Sequence, residues 1–148
     1  MKIQERAVLH NRFDVKVVDA VSGKIKQTAV GFNVITNYYF NSRLTASPLS
    51  KTTDLFRYIA VGTGTGTPAV TDTALFTHLT RKAVTTLETV YEYPTSYTTK
   101  QIKLEATECN GSTITEVALE GYYSGTWSDT YYIMSHAMLQ DSEGNQIA

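Results

Sequence analysis

The chain has 148 residues, enough to bury a hydrophobic core in one domain, and its formal net charge is −1. Because the lysines and arginines are scattered and balanced by acids, this composition does not favour nucleic-acid binding. The single cysteine, Cys109, excludes a disulfide within the chain and a zinc site built on cysteines. We therefore expect one domain over residues 1–148, with no cofactor and no metal.

The N-terminal residues predict no signal peptide. Met1 to Val8 is polar and lacks the apolar segment that a secretory signal requires. No apolar run approaches the ~20 residues that span a bilayer, so we expect no membrane partner. We interpret residues 1–8 as a candidate N-terminal arm of a protein that is made in a cytoplasm and stays soluble or joins an assembly.

The first elements predicted after this arm are two strands. The chain is rich in threonine and contains 10 tyrosines, both typical of β-structure. Arg12 to Asp19 alternates apolar and polar residues, and Ile25 to Asn33 follows after a turn. We expect these two strands to form a hairpin, with Gly31 as a candidate bulge.

The alternation stops after the hairpin. Asn33 or Thr36 is typical of a helix cap, and a helix from Thr36 to Leu44 would bury Ile35, Tyr39, Phe40 and Leu44. The run Tyr38 to Phe40 is also compatible with a strand, so a helix and a strand both stay open as interpretations. Ala46 to Asp54 is polar and contains proline, which predicts an exposed loop.

A glycine-rich segment forms the centre of the predicted fold. Tyr58 to Val61 predicts a buried strand, which three alternating glycines then end. We expect Thr71 or Asp72 to cap a short helix that carries Ala74, Leu75 and Leu79. The spacing fits neither a P-loop nor a dinucleotide fingerprint, and Pro68 removes an amide that an anion would need. We therefore interpret the glycines as a structural connection.

The second half predicts mainly strands. These are Arg81 to Glu92, Tyr97 to Thr107, Thr113 to Glu120 and Thr130 to Leu139, with a hairpin turn at Asn110-Gly111. In the third of them, Glu116, Ala118 and Glu120 share one face, which we interpret as the face toward solvent. The segment Gly121 to Asp129 predicts a loop.

The last predicted feature is a turn at Asp141 to Asn145. Such a turn normally leads into another strand, but only Gln146 to Ala148 follow it. We expect these three residues to be too few for a strand. Three interpretations stay open: the sequence is truncated, a neighbouring chain supplies the missing strand, or the edge of the last strand stays open. An open edge favours association with a neighbouring chain.

Candidate catalytic and metal-binding residues are sparse. His10, His78 and His136 lie far apart, so we expect no metal site and interpret His136 as a hydrogen-bonded core or interface residue. The carboxylate pairs are Glu88 with Glu92, Glu105 with Glu108 and Glu116 with Glu120. No motif supports catalysis by any of them, and we expect that the protein is not an enzyme.

The strongest binding candidate is an aromatic segment. It contains Tyr122, Tyr123, Trp127, Tyr131 and Tyr132 among serines and glycines, a composition common at binding surfaces. We expect these residues to form a subunit contact. Two alternatives stay open: the rings contact a receptor or glycan, or they are ordinary strand residues with Trp127 covering one end of the core.

Three passages of the sequence, in the order in which they occur, are similar to passages of a known protein family. They are Ala7 to Val15 with Asp19 to Gln27, Tyr58 to Pro68 with Asp72 to Leu75, and Thr113 to Ala118 followed by Ser135 to Asn145. Together they resemble small structural proteins of tailed bacteriophages and prophages, of the tail, baseplate or fibre-attachment kind. The resemblance implies a β-sandwich-like virion subunit without catalytic residues. It also leads us to expect a further strand after the last turn.

The fold expected from these observations is mainly β, an antiparallel β-sandwich with one or two short helices. The expected function is that of a non-enzymatic virion structural protein, assembled in the host bacterial cytoplasm. Its partners would be copies of itself, forming a homo-oligomer, and other virion proteins, but not nucleic acid. The alternatives are a module at a fibre tip that binds a host surface glycan, a capsid decoration protein, and a hydrolase that uses Glu116.

Overall fold

The computed structural model describes residues 11–40, 56–92, 95–124 and 129–148. The fold is mainly β and antiparallel, with one short helix, and it is consistent with a sandwich or half-barrel, which confirms the predicted fold class. The candidate arm at residues 1–8 lies outside the described residues. The strands are β1 (Arg12–Val18), β2 (Ile25–Phe32), β3 (Val34–Ile35), β4 (Tyr58–Gly62), β5 (His78–Ala83), β6 (Thr85–Val90), β7 (Tyr97–Gln101), β8 (Glu116–Ser124) and β9 (Asp129–Gln140).

The main sheet is organised around β9. Its strand order is β1-β2-β9-β8-β4-β5, and β3 pairs with β9 as well. Strand β9 contacts β8 along most of its length and uses its other edge for β3 and then β2. The neighbours of β9 therefore come from both halves of the chain.

The sheet is packed on both faces. One face buries Phe13, Ile59, Val61, Val117 and Leu139, with Ile102, Leu104 and Ile114 packed against them. The other face buries Ala60, Leu75, Ala118 and Ile133. Because successive residues of a strand point to opposite faces, β4 and β8 contribute to both cores.

The N-terminal hairpin forms as predicted, but Gly31 is not a bulge. Gly31 pairs regularly with Phe13, and the register shift lies between Val17 and Val18. A Cβ at Gly31 would lie 3.0 Å from the Cβ of Ala137 on β9. The glycine therefore allows β2 and β9 to approach closely.

The long strand predicted over Arg81 to Glu92 is two strands. The chain breaks at Val84, whose N–H donates to the carbonyl of Arg57 at 2.9 Å. Strand β6 then pairs with β7 in a hairpin of its own. Strand β7 ends at Gln101 rather than at Thr107, because residues 102–115 cover the core without forming a strand.

One predicted helix is present and the other is absent. Residues 37–40 are helical, and the Thr36 hydroxyl oxygen accepts the N–H of Tyr39 at 3.4 Å, as a cap does. Phe40 is half-exposed, so its predicted burial is wrong, and Leu44 lies outside the described residues. No helix forms at Thr71 to Leu79. The chain makes a turn there and enters β5 at His78.

Two predicted turns are present. Cys109 accepts the N–H of Ser112 at 3.1 Å, although irregular chain rather than a strand flanks this turn. In the last turn, the Asp141 carboxylate accepts the N–H groups of Glu143 and Asn145, each at 2.9 Å.

The residues after the last turn pair with β9. Gln146 forms a single bridge with Gln140, and the N–H of Ile147 donates to the Leu139 carbonyl at 2.9 Å. The three residues form no strand, as expected, although they add this bridge and this hydrogen bond to β9. Within the described ranges, no helix combines the length and the apolar character that crossing a membrane requires.

Candidate functional site

A buried carboxylate, Glu116, lies at the start of β8. Its side chain is 0% exposed. Oε1 accepts the N–H groups of Gly64 at 2.9 Å and Thr77 at 2.8 Å, and Oε2 accepts the N–H of Phe76 at 2.9 Å. The segment between β4 and β5 therefore wraps its backbone donors around this one side chain. The prediction that Glu116 faces solvent is wrong, because residues 63–77 cover that face of the sheet.

The first two alternating glycines make room for the carboxylate. A Cβ at Gly62 or at Gly64 would lie under 3.0 Å from Oε1 of Glu116. At Gly64 it would also meet the Cβ of Phe76. The glycine spacing thus serves an anion, as in a phosphate-binding loop, but the anion is a side chain of the protein itself.

His136 joins this carboxylate to a second one. Its ring is 0% exposed, its Nε2 lies 2.9 Å from Oε2 of Glu116, and its Nδ1 lies 2.7 Å from Oδ2 of Asp72. Both nitrogens carry a hydrogen only in the protonated ring, so donation to both carboxylates requires the imidazolium. The ring of Phe76 packs 4.8 Å away, centroid to centroid. The interpretation of His136 as a hydrogen-bonded core residue is confirmed.

Asp72, in the segment between β4 and β5, is the third member of this hydrogen-bond network. Its side chain is 15% exposed, and Oδ2 also accepts the N–H of Ala69 at 2.9 Å. The carboxylate thus stabilises a turn and binds His136 instead of capping a helix. This use of the side chain explains why the helix predicted from Asp72 does not form.

The electrostatics of Glu116 result from two opposed effects. Burial raises the pKa of its carboxyl, but the hydrogen bonds from Thr77, Phe76, Gly64 and His136 outweigh burial and hold the pKa below its usual range. The ionised form is therefore stabilised by folding. Asp72, His136 and Glu116 together form what we call the buried triad.

Stability should accordingly fall in acid. A lowered pKa means that Glu116 stabilises the fold fully above the unfolded carboxyl pKa of about 4.3, and that this contribution is lost as pH falls through the folded-state pKa. Asp19, Glu108 and Asp141 also have lowered pKa values and act in the same direction. Urea unfolding at pH values between 5 and 3 should show stability that declines as these carboxylates become protonated. Stability that is unchanged between pH 5 and pH 3 would contradict this assignment.

The geometry of the buried triad suits a structural clamp. Within the part of the chain that the structure describes, no group of three His, Cys, Asp or Glu residues is arranged to hold a metal ion. In the triad, the two carboxylates bind opposite nitrogens of the His136 ring. Every oxygen of Glu116 is occupied by the protein's own donors, and none has a surface that a substrate can reach.

The other carboxylates form ion pairs. Glu120 is 3% exposed rather than solvent-facing, and it binds Nε of Arg81 at 2.7 Å. Glu108 binds Nζ of Lys82 at 2.8 Å. These pairs connect β5 to β8 and to the covering segment after β7. The structure thus assigns both carboxylates a role in holding elements together.

The predicted aromatic residues lie on both faces of the sheet. Tyr122 and Tyr131 are cross-strand neighbours with centroids 5.1 Å apart, and Tyr58 packs against both. Tyr132 points the other way and stacks on Tyr38, with centroids 4.0 Å apart. The five residues therefore do not share one face.

Two of the five predicted aromatic side chains lie outside the residues that the structure describes. The backbone of Tyr123 pairs within the β8–β9 hairpin, but its side chain, like the whole of Trp127, lies outside the described residues. Strand β8 extends to Ser124 and β9 begins at Asp129, so the described residues of the segment predicted as a loop are strand.

Comparison of the chain with protein-family models, with characterised proteins and with solved structures found no match.

Proposed function

We propose that this chain is a non-enzymatic structural subunit of a tailed-bacteriophage virion, of the tail, baseplate or fibre-attachment kind. It acts by assembling with copies of itself or with other virion proteins. The proposal rests on the sequence resemblance together with one structural observation, the exposed apolar end of the β1–β2 hairpin. Assembly into the virion would take place in the host cytoplasm.

The apolar end of the hairpin consists of Val17, Val18, Val21 and Ile25. Val18 and Ile25 are direct cross-strand partners, and both are more than half exposed. Val21, in the turn, is 98% exposed. An exposed apolar cross-strand pair, Val18 with Ile25, beside an almost fully exposed apolar turn residue is a surface of the kind that protein–protein contacts use.

The turn that presents Val21 is held rigidly. The Asp19 carboxylate accepts the N–H groups of Val21 at 3.1 Å and Ser22 at 2.8 Å, and it pairs with Nζ of Lys26 at 2.6 Å. A preorganised contact loses little conformational entropy on binding. The rigid turn therefore supports a role for this hairpin end in association.

The two outer strands of the main sheet, β1 and β5, are further candidates for contact with another subunit. Among the strands that the structure describes, β1 pairs only with β2 and β5 pairs only with β4. Each outer edge carries backbone groups that a strand of another subunit can complete. The predicted contact of Tyr122, Tyr123, Trp127, Tyr131 and Tyr132 stays part of the proposal, but as separate contacts on two faces, with Tyr122 and Tyr131 on one face and Tyr132 on the other.

A substitution at the hairpin end tests the assembly. We expect the unmodified protein to elute as an oligomer in sizing chromatography with light scattering. The Val21→Asp variant should shift toward the monomer, because a charge replaces an apolar contact. Its thermal unfolding as a monomer should be unchanged, since Val21 makes little contact with its own chain.

The matched control is Val70→Asp, which introduces the same charge at an exposed valine outside this hairpin. It should leave the oligomer intact. A monomer for the unmodified protein at high concentration, with no binding partner in a virion extract, would contradict the proposal.

A further inference from the structure

An open cavity of ≈ 660 Å³ lies between the β6–β7 hairpin and the main sheet. Its floor comes from the sheet and includes Phe13, Ile59 and Leu119, while one wall comes from β6 and β7. The volume falls within the range of about 300–1,000 Å³ that is typical of ligand sites. No residue of the buried triad lines this cavity.

The apolar part of the lining includes exposed aromatic rings. Tyr91 is 90% exposed and Tyr97 is 48% exposed, although both line the cavity. Exposed rings beside a cavity offer flat surfaces to a ligand that has apolar C–H faces. Tyr97 sits on β7 and is oriented by a hydrogen bond from its hydroxyl to Glu88 at 3.3 Å.

The polar part of the lining is rich in hydroxyl and amide groups. Thr86, Thr89, Thr98 and Thr99 all line the wall. The Thr89 and Thr98 hydroxyls bond each other at 3.1 Å and Thr86 accepts from Lys100, so these three hydroxyls offer a ligand their remaining hydrogen-bonding capacity. Asn33 lines the cavity as well, and its Nδ2 is buried without a hydrogen-bond partner. Since buried donors are nearly always paired, an acceptor supplied by a ligand would complete this amide.

The described lining has three charged side chains, an Arg12–Asp14 ion pair and one lysine, Lys100. Arg12 and Asp14 bind each other at 2.7 Å, and Nζ of Lys100 donates to the Thr86 hydroxyl at 3.1 Å. No cluster of cations faces the cavity from the described lining, as recognition of a phosphate or carboxylate would require. The lining therefore fits an uncharged ligand.

We propose that this cavity binds a neutral oligosaccharide. Sugar rings combine apolar C–H faces, which suit Tyr97 and Tyr91, with hydroxyl and acetamido oxygens, which suit the threonines and the Asn33 amide. This binding activity goes beyond the structural role proposed above and does not depend on it. It also uses residues other than the aromatic segment around Tyr131.

The test is a glycan array printed with neutral, sialylated and phosphorylated oligosaccharides, followed by calorimetric titration of the best neutral probe. The unmodified protein should bind at least one neutral probe. Tyr97→Ala should weaken that binding on the order of tenfold through loss of stacking. Asn33→Ala should also weaken it, and circular dichroism confirms that each variant is folded.

The matched control is Leu87→Ala, which truncates an exposed side chain on the same hairpin that does not line the cavity. It should bind as the unmodified protein does. The proposal is overturned by an absence of binding to every neutral probe, by preference for the charged probes, or by binding that folded Tyr97→Ala and Asn33→Ala variants retain. Sizing chromatography reads out assembly separately, so either proposal can fail without the other.

Discussion

Glu116→Gln should lower the free energy of unfolding by about 3 kcal/mol or more, the cost of breaking a buried, hydrogen-bonded charge pair. Each carboxylate oxygen now accepts two donors. Glutamine replaces one of them with an NH₂ group, which would face two donors instead. The substitution also removes the charge opposite His136. Urea unfolding at pH 7 measures the loss.

The matched control for this variant is Glu105→Gln, which changes an exposed glutamate in the same way. We expect it to alter stability by less than about 0.5 kcal/mol. If Glu116→Gln were as stable as the unmodified protein, the buried triad would not be a structural clamp. A Glu116→Gln protein that folds normally but loses a hydrolase activity would instead favour the catalytic alternative.

Gly64→Ala should destabilise the protein by about 2 kcal/mol or more, because its Cβ would overlap backbone and side-chain atoms packed around it. The added atom would meet Oε1 of Glu116 and the backbone nitrogen of Thr77, which cannot both move away without breaking their hydrogen bond. Thermal unfolding of the purified variant measures this effect.

Thr65→Ala is the neighbouring control, since Thr65 is exposed and lies on the same loop. It should leave the melting temperature nearly unchanged. A Gly64→Ala variant with the stability of the unmodified protein would mean that the loop does not need the close approach to Glu116 that the structure shows.

The strands were the most predictable part of the fold. Alternation located β1 and β2 to within one residue at their ends, and the apolar run Tyr58 to Val61 located β4. These elements were predictable because alternation of apolar and polar residues, or a short apolar run, is a property of consecutive residues and marks a strand locally. The break at Val84 was not, because it depends on a hydrogen bond to Arg57 from a distant part of the chain.

The buried triad was missed because alternation does not show which face meets solvent. Glu116, Ala118 and Glu120 have the pattern of a polar outer face, yet the loop after β4 covers it. The available signal was His136, a lone ionisable residue within the apolar run from Ile133 to Leu139. A buried histidine requires polar partners, but the sequence does not say that they are Glu116 and Asp72.

For the aromatic segment, too, the sequence did not show which face of the sheet each side chain occupies. Composition predicted a binding surface from neighbouring tyrosines, but Tyr131 and Tyr132 are successive residues of a strand and point to opposite sides. The cavity beside Tyr97 was not predicted, because it arises where the β6–β7 hairpin lies over strands that are remote in sequence.

The central position of β9 has a consequence for synthesis of the chain. Translation produces the β1–β2 and β4–β5 hairpins early, but no strand joins them until residues 129–140 have emerged from the ribosome. Up to that moment the nascent chain carries apolar residues such as Phe13, Ile59 and Val117 without the surface that buries them. Chaperones that shield unfinished chains should therefore be needed most in the interval just before β9 appears.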